Sequence, residues 1–205
     1  TPKDTTASAP VNWKVDLHKL KLKNVSFSMQ LPADSMRMAA HIGEAFINDA
    51  QADLKNQFYE LKQFLLSGSS ANYDTGAAKP GEGFDASHIA VRDIRIGLDS
   101  LLYKGRDMNA VIREFSMNER SGLSITSLTG RAFSNDSIIR IPGIKLQTPH
   151  SEIDLSAQTY RELVNIPTTG RLSAGLNAYI GKEDVMLFAG GLPDSFKEAY
   201  PFRPL

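Results

Sequence analysis

At 205 residues, with 23 basic and 23 acidic side chains, the chain carries no net charge. It therefore lacks the field that would draw it to nucleic acid or to an anionic membrane surface, and its length suits one sizeable core or a segment of something larger. Its 41% hydrophobic and 22% charged residues fit a folded domain rather than disorder or a coiled coil. No apolar run approaches the length of about 18 residues that spans a membrane. With no cysteine, disulfides, thiolate chemistry and cysteine-rich zinc sites are excluded, which is compatible with an oxidising compartment.

Residues 1–10, TPKDTTASAP, are small, polar and proline-flanked and read as a linker. The chain stops on PFRPL, with no polar tail. Together the two ends suggest a piece of a longer protein with any signal peptide or anchor upstream. Strand periodicity begins at once. Val11, Trp13, Val15 and Leu17 alternate with polar residues, and after Leu20 and Leu22 a turn at Lys23-Asn24 precedes Val25, Phe27 and Met29. This reads as two strands with a phase slip between them, the kind of break a bulge or a tight turn makes.

From Met38 to Leu65 the residues Met38, Ile42, Phe46, Leu54, Phe58, Leu61 and Leu65 fit a helical stripe. Gly43 and Asn48-Asp49 interrupt it, and Ala50, Ala52 and Leu54, then Lys55-Asn56-Gln57, then Tyr59 and Leu61 read equally as a hairpin; strands are the favoured assignment. Ile89, Val91, Ile94, Ile96, Leu98, Leu101 and Tyr103 form another strand set, ended by Lys104-Gly105-Arg106-Asp107. Ala110, Ile112, Glu114 and Ser116 continue less cleanly to a turn at Arg120-Ser121-Gly122.

The clearest pattern lies between Ser121 and Leu155. Leu123 and Ile125, Leu128, Ile139 and Ile141, Ile144 and Leu146, and Ile153 and Leu155 recur at every second place, while Ser124, Thr126, Arg140, Lys145, Gln147, Glu152 and Asp154 fill the alternates. That is the period of strands with one dry and one wet face. The spacing predicts short strands every eight to twelve residues or so and a mainly β fold: an antiparallel meander forming a long curved one-sided sheet or a sandwich. Leu172, Ala174, Leu176, Ala178 and Ile180 add a strand, and short helices are predicted over Lys182–Phe188 and Asp194–Ala199.

Nothing in the pattern demands catalysis or a cofactor. His18, His41, His88 and His150 stand at no familiar ligand spacing. His150, Glu152 and Asp154 would share one face of a strand, an arrangement that more often marks the solvated side of a sheet than a metal site. Asp85, Ser87 and His88 lie close in sequence, but no nucleophile-elbow motif accompanies them. Gly81-Glu82-Gly83 lacks the rest of a phosphate loop and reads as a connection between strands.

The strings GFDASHIAVRDIRIGLDSLLYKG, NERSGLSITSLTG, IPGIKLQTPHSEIDL and AYIGKEDVMLFAGGLPDSFKEAYPFRPL, in that order, resemble the TamB branch of the AsmA-like translocation and assembly module family of Gram-negative bacteria. The likeness runs over about residues 11–205 and is most secure from Phe84 onward. It implies a non-enzymatic periplasmic body segment of a protein anchored in the inner membrane, with outer-membrane assembly proteins met through regions outside this chain. It also implies a role in moving phospholipid between the two membranes, in assembling outer-membrane proteins, or in both.

On that reading the apolar face of Leu123, Ile125, Ile139, Ile141, Ile144, Leu146, Ile153 and Leu155 would line a lipid groove. The other arrangement the alternation allows is a closed β-sandwich that binds protein or glycan, with the same residues as its core. Some Gram-negative bacteria that carry such proteins also attach O-glycans at Asp followed by Ser or Thr and then an aliphatic residue, Met or Thr. Thr5 in the linker and Ser137 in a turn are the candidate acceptors here.

Overall fold

The computed structural model describes residues 12–31, 35–76, 79–81, 83–160 and 171–188. Ten strands follow one another in it: β1 (Lys14–Leu31), β2 (Met36–Asp53), β3 (Phe58–Thr75), β4 (His88–Lys104), β5 (Asp107–Glu119), β6 (Ser124–Ile125), β7 (Ser127–Ser134), β8 (Ile138–Gln147), β9 (Glu152–Tyr160) and β10 (Leu172–Tyr179). One helix, α1 (Lys182–Phe188), comes after them. The predicted helix over Asp194–Ala199 and the linker over residues 1–10 lie outside the described residues.

All ten strands belong to a single antiparallel sheet in the order β1-β2-β3-β4-β5-β7-β8-β9-β10, with β6 hanging from β5. Each strand packs substantially only against its hydrogen-bonded neighbours. The sheet is not closed, and the described residues form no second layer, so the sandwich arrangement is not adopted. The strands are also longer than the sequence spacing predicts. The first three run for 18 residues each, about 60 Å of extended chain, and nine strands side by side make the sheet about 40 Å across.

Residues directly opposed in an antiparallel pair project from the same face, so the register sorts the side chains. Leu20 faces Ile47, Ile47 faces Phe64, Phe64 faces Leu98 and Leu98 faces Ile112. The row continues through Gly130, Ile144, Leu155 and Leu176. A parallel row runs from Val15 through Ala52, Tyr59, Tyr103, Met108, Ser134, Ile139 and Thr159 to Leu172. The opposite face carries the charges, with Lys14 on Asp53 at 3.0 Å, Lys23 on Glu44 at 3.1 Å and Lys145 on Asp154 at 3.5 Å, each pair directly across a strand boundary.

A strict period of two would lose this sorting, because the apolar residues are not evenly spaced. They jump by three places at Leu17 to Leu20 and Leu22 to Val25 in β1, and at Ile42 to Ala45 and Ile47 to Ala50 in β2. β3 has the same jumps at Leu61 to Phe64 and Leu66 to Ser69, and β4 at Val91 to Ile94 and Leu98 to Leu101. The register aligns these slips into two lines crossing β1 to β4. Asn24 (φ 53°), Asp49 (φ 48°), Gly68 (φ 58°) and Asp93 (φ 55°) sit in four of them in left-handed conformation. Asn, Asp and Gly tolerate that conformation best, and a bulge there bends and twists the strand.

The Lys23-Asn24 step is therefore a bulge inside one continuous β1, not a turn between two strands. The irregular alternation at Ile112, Glu114 and Ser116 has the same cause: a slip transfers the apolar period to Phe115 and Met117, with Phe115 facing Ile96. The favoured strand assignment for residues 38–65 is realised as β2, a turn over Leu54–Gln57 and β3. The competing helical stripe is split by the sheet, since Met38, Ile42 and Leu61 share the apolar face while Phe46, Phe58 and Leu65 occupy the other.

At the second line of slips the backbones of β2 and β3 nearly touch. A Cβ on Gly43 would lie 2.5 Å from the Gly68 carbonyl oxygen, and the Gly43 N–H donates to Ser69 Oγ at 3.2 Å. Gly43→Ala is expected to destabilise the chain by about 1–3 kcal/mol. Gly143→Ala, in the β8 bulge where nothing lies within 4 Å of an added Cβ, is expected to stay within about 0.5 kcal/mol of wild type. Equilibrium urea unfolding measures both, and equal effects would remove the close approach as the reason for glycine at residue 43.

Candidate functional site: an open apolar face

The apolar face has no cover among the described residues. Ala45, 7% exposed, is the one apolar side chain there that counts as buried, and no large side chain is fully enclosed. Phe27 remains 57% exposed and Leu172 and Leu176 each 68%. The most enclosed side chains on this face are Ser69 and Ala45, at the second line of bulges, and Glu119, at the end of β5. Leaving large aliphatic and aromatic groups partly in water forfeits part of the roughly 1.5–3 kcal/mol that full burial of each would contribute. An apolar surface this long that the described residues leave uncovered is a candidate binding surface.

The predicted face residues fall within it as follows. Ile139, Ile141, Ile144 and Leu146 lie on β8, where a bulge at Pro142-Gly143 keeps Ile141 and Ile144 on one side despite their odd spacing. Ile144 faces Leu155 and Leu146 faces Ile153 on β9. Ile125 joins the same side through Met117 on β5. Leu123 precedes β6 in the tight turn after β5, where its carbonyl accepts the Glu119 N–H at 2.7 Å, and no strand pairing places it on the face. The β8–β9 set is about a fifth of the face by strand number; the larger part, on β1 to β4, was visible in the sequence as separate alternating runs.

One end of the sheet is closed by α1, and the four sequence phrases that carry the family resemblance meet there. Asp184 accepts hydrogen bonds from the Thr148 and Ser151 hydroxyls of the β8–β9 turn, and the Gly181 N–H donates to Ser151 Oγ at 3.0 Å. A Cβ on Gly181 would strike the His150 carbonyl, which explains glycine at that position. From the β3–β4 connection, the Phe84 N–H donates to the Leu187 carbonyl at 2.9 Å and the Phe84 ring lies 5.5 Å from that of Phe188. Gly122 of the Ser121-Gly122 turn sits against Leu187. Segments scattered over a hundred residues of sequence thus form one clasp, a contact that no local pattern announced.

The polar clusters weighed in the sequence are parts of turns. Asp85 accepts from the Gly81 and Ser87 N–H groups and from His88 Nδ1 at 2.9 Å. These backbone donors, then the His88 ring, hold its carboxyl down at about 2. Ser87 contributes its N–H to this cluster, which organises the start of β4. Lys14 first, then Asn56, holds Asp53 at about 2 in the β2–β3 hairpin. Burial opposes ionisation of Glu119, but hydrogen bonds from Ser121 and Ala90 outweigh it and lower its pKa. His150 is not on a strand with Glu152 and Asp154; it stands in the bend before β9, 3.8 Å from Glu183. Among the described residues no three His, Asp or Glu side chains are placed to hold a metal ion.

Ser137 occupies the exposed bend between β7 and β8, with its N–H on Asn135 Oδ1. Thr5 lies outside the described residues. The chain matches no family model, no curated protein and no solved structure.

Two measurements follow from this geometry. Asp184→Ala strands two hydroxyls and is expected to cost about 2 kcal/mol and to raise hydrogen exchange across Lys182–Phe188; protection equal to wild type would remove the clasp. The lowered pKa values of Asp53 and Asp85 mean that the stability they add is complete above the ordinary value of 3.8 and is lost as the pH falls through about 2. Urea unfolding across that window is expected to show a shallower acid loss in Asp85→Asn than in wild type, and identical profiles would contradict the assignment.

Proposed function

We propose that this chain is a non-enzymatic body segment of a TamB/AsmA-like protein and that its apolar face carries phospholipid acyl chains across the periplasm. The observation that supports this most is the continuous apolar face, nine strands wide and uncovered among the described residues. An acyl chain laid on it gains up to about 0.8 kcal/mol for each methylene fully removed from water. The contacts are non-directional and recur from strand to strand, so a chain moves along the face without breaking any one strong interaction. The polar outer face stays wetted throughout that movement. Participation in outer-membrane protein assembly is part of the same proposal and rests on the family resemblance alone, as does the inner-membrane anchorage of the full-length protein.

A lipid-carrying face and a hydrophobic core respond differently to a buried charge. Ile141 lies on the open face and is only partly buried, so Ile141→Glu is expected to leave the melting temperature within a few degrees of wild type. The same change is expected to abolish phospholipid co-purification seen by native mass spectrometry. Ile125→Lys is expected to behave likewise. Retention of lipid in both variants, or no lipid on the wild-type chain expressed in a Gram-negative host, would reject the proposal.

A further inference from the structure

The rim of the sheet where β1 turns into β2 and β3 leads to β4 brings the apolar face and a set of charges to one place. On the polar face Arg37 lies opposite Asp74, and Asp74 opposite His88, in a single cross-strand row. Lys79, in the connection between β3 and β4, faces the same recess, which has a volume of about 560 Å³ and is bounded on its other side by Leu31 and Met36. Leu31 and Met36 are opposed to each other and end the apolar face at this rim. The recess therefore has a dry wall continuous with the proposed lipid surface and a charged wall around the edge from it.

Elsewhere on the sheet Lys14, Lys23, Lys62, Arg113 and Lys145 lie against carboxylates. Arg37 and Lys79 have no hydrogen-bond or ion-pair partner among the described residues. His88 is the most enclosed polar group of the set, its side chain 8% exposed. Asp85 holds Nδ1 of that ring, so Nε2 is the ring nitrogen left for a ligand. Two cations suit the oxygens of a phosphate, His88 as an imidazolium adds an Nε2–H donor to them, and Asp74, between Arg37 and His88, suits an ammonium group beside that phosphate.

We propose that this rim binds the zwitterionic headgroup of a phospholipid, with phosphate on Arg37, Lys79 and His88, amine on Asp74, and acyl chains passing over Leu31 and Met36 onto the apolar face. The proposal rests on the lipid-carrying reading of that face and adds the headgroup class and its place. A headgroup site at the rim fixes the polar end of each molecule while the face holds the tails, so lipid would load at this edge in one orientation.

The test titrates the chain by calorimetry with three probes: dihexanoyl phosphatidylethanolamine, dihexanoyl phosphatidylglycerol and octyl glucoside below their micellar concentrations. Inorganic phosphate is added as competitor. The double variant Arg37→Gln, Lys79→Gln is expected to bind the phosphatidylethanolamine probe about tenfold or more weakly, the loss expected for charge-assisted contacts, and the glucoside as wild type does. Asp74→Asn is expected to remove the preference for ethanolamine over glycerol.

Equal weakening for glucoside and phospholipid, or no weakening of either, would overturn the rim site while leaving the apolar face as a lipid surface. Unchanged headgroup preference in Asp74→Asn would overturn the amine assignment. Phosphate competing at the same concentration as the phospholipid would show a free-phosphate site and overturn the lipid one. Binding of neither amphiphile by the wild-type chain would overturn the lipid-carrying face and the rim together.

Discussion

The whole architecture depends on neighbouring strands slipping in step. Side chains alternate across a sheet every residue, so one extra residue in a strand would turn all that follows to the wrong side. Across β1 to β3 the extra residues recur, and each is matched by one in the next strand, so that Leu17 and Leu20 remain opposite Ala50 and Ile47, and these opposite Leu61 and Phe64; from β4 onward single bulges shift the register instead. The apolar rows survive because the faults are shared. The left-handed residues that absorb them, Asn24, Asp49, Gly68 and Asp93, do so without turning the chain back. This is why strands of 18 residues bend without breaking into shorter hairpins.

With its apolar face uncovered among the described residues, the sheet draws stability from terms other than an enclosed core. Backbone ladders satisfy the polar groups of every internal strand, and cross-strand pairs such as Lys14 with Asp53 and Tyr59 with Tyr103, at 6.0 Å between rings, add modest terms. Lateral packing of long side chains along each row removes much of their surface from water, leaving Leu20, Ile47, Phe64, Leu98 and Ile112 partly buried. The clasp at α1 ties the β3–β4, β5–β6 and β8–β9 connections to one another at a single end. Polar residues on the apolar side, notably Ser69, Ser134 and Glu119, are buried against the backbone and satisfied there.

The strand character of the chain and the β8–β9 part of the apolar face were legible because their residues alternate cleanly over short spans. Where a slip intervened, local reading failed in a definite way. Lys23-Asn24 carries the same residue types as a turn, and only pairing with β2 distinguishes a bulge from a reversal. Glu114 and Ser116 followed the period set by Ala110 and Ile112, whereas the sheet had already moved it to Phe115. Whether the apolar side is sealed or open depends on what packs against it, a long-range fact with no local signal. The same holds for the clasp: Asp184 reads as an ordinary first-turn acidic residue of a helix until the Thr148 and Ser151 hydroxyls are seen on it. His150 was grouped with Glu152 and Asp154 by parity, although the bend at Pro149-His150 takes it out of the strand.

The strand order, in which each element touches little but the one before and the one after, makes this molecule nearly one-dimensional in its energetics. A globular core makes every element depend on all the others, but a ladder of this kind has only nearest-neighbour terms, as solenoids do. Its free energy accumulates strand by strand, and unfolding starts as fraying from an edge such as β10, where every residue is exposed. A long hydrophobic guest lying across several strands would couple sites that the polypeptide itself leaves independent. The cargo would then supply the cooperativity that other proteins obtain from their interiors, and the loaded and empty forms would differ in how they melt as well as in what they hold.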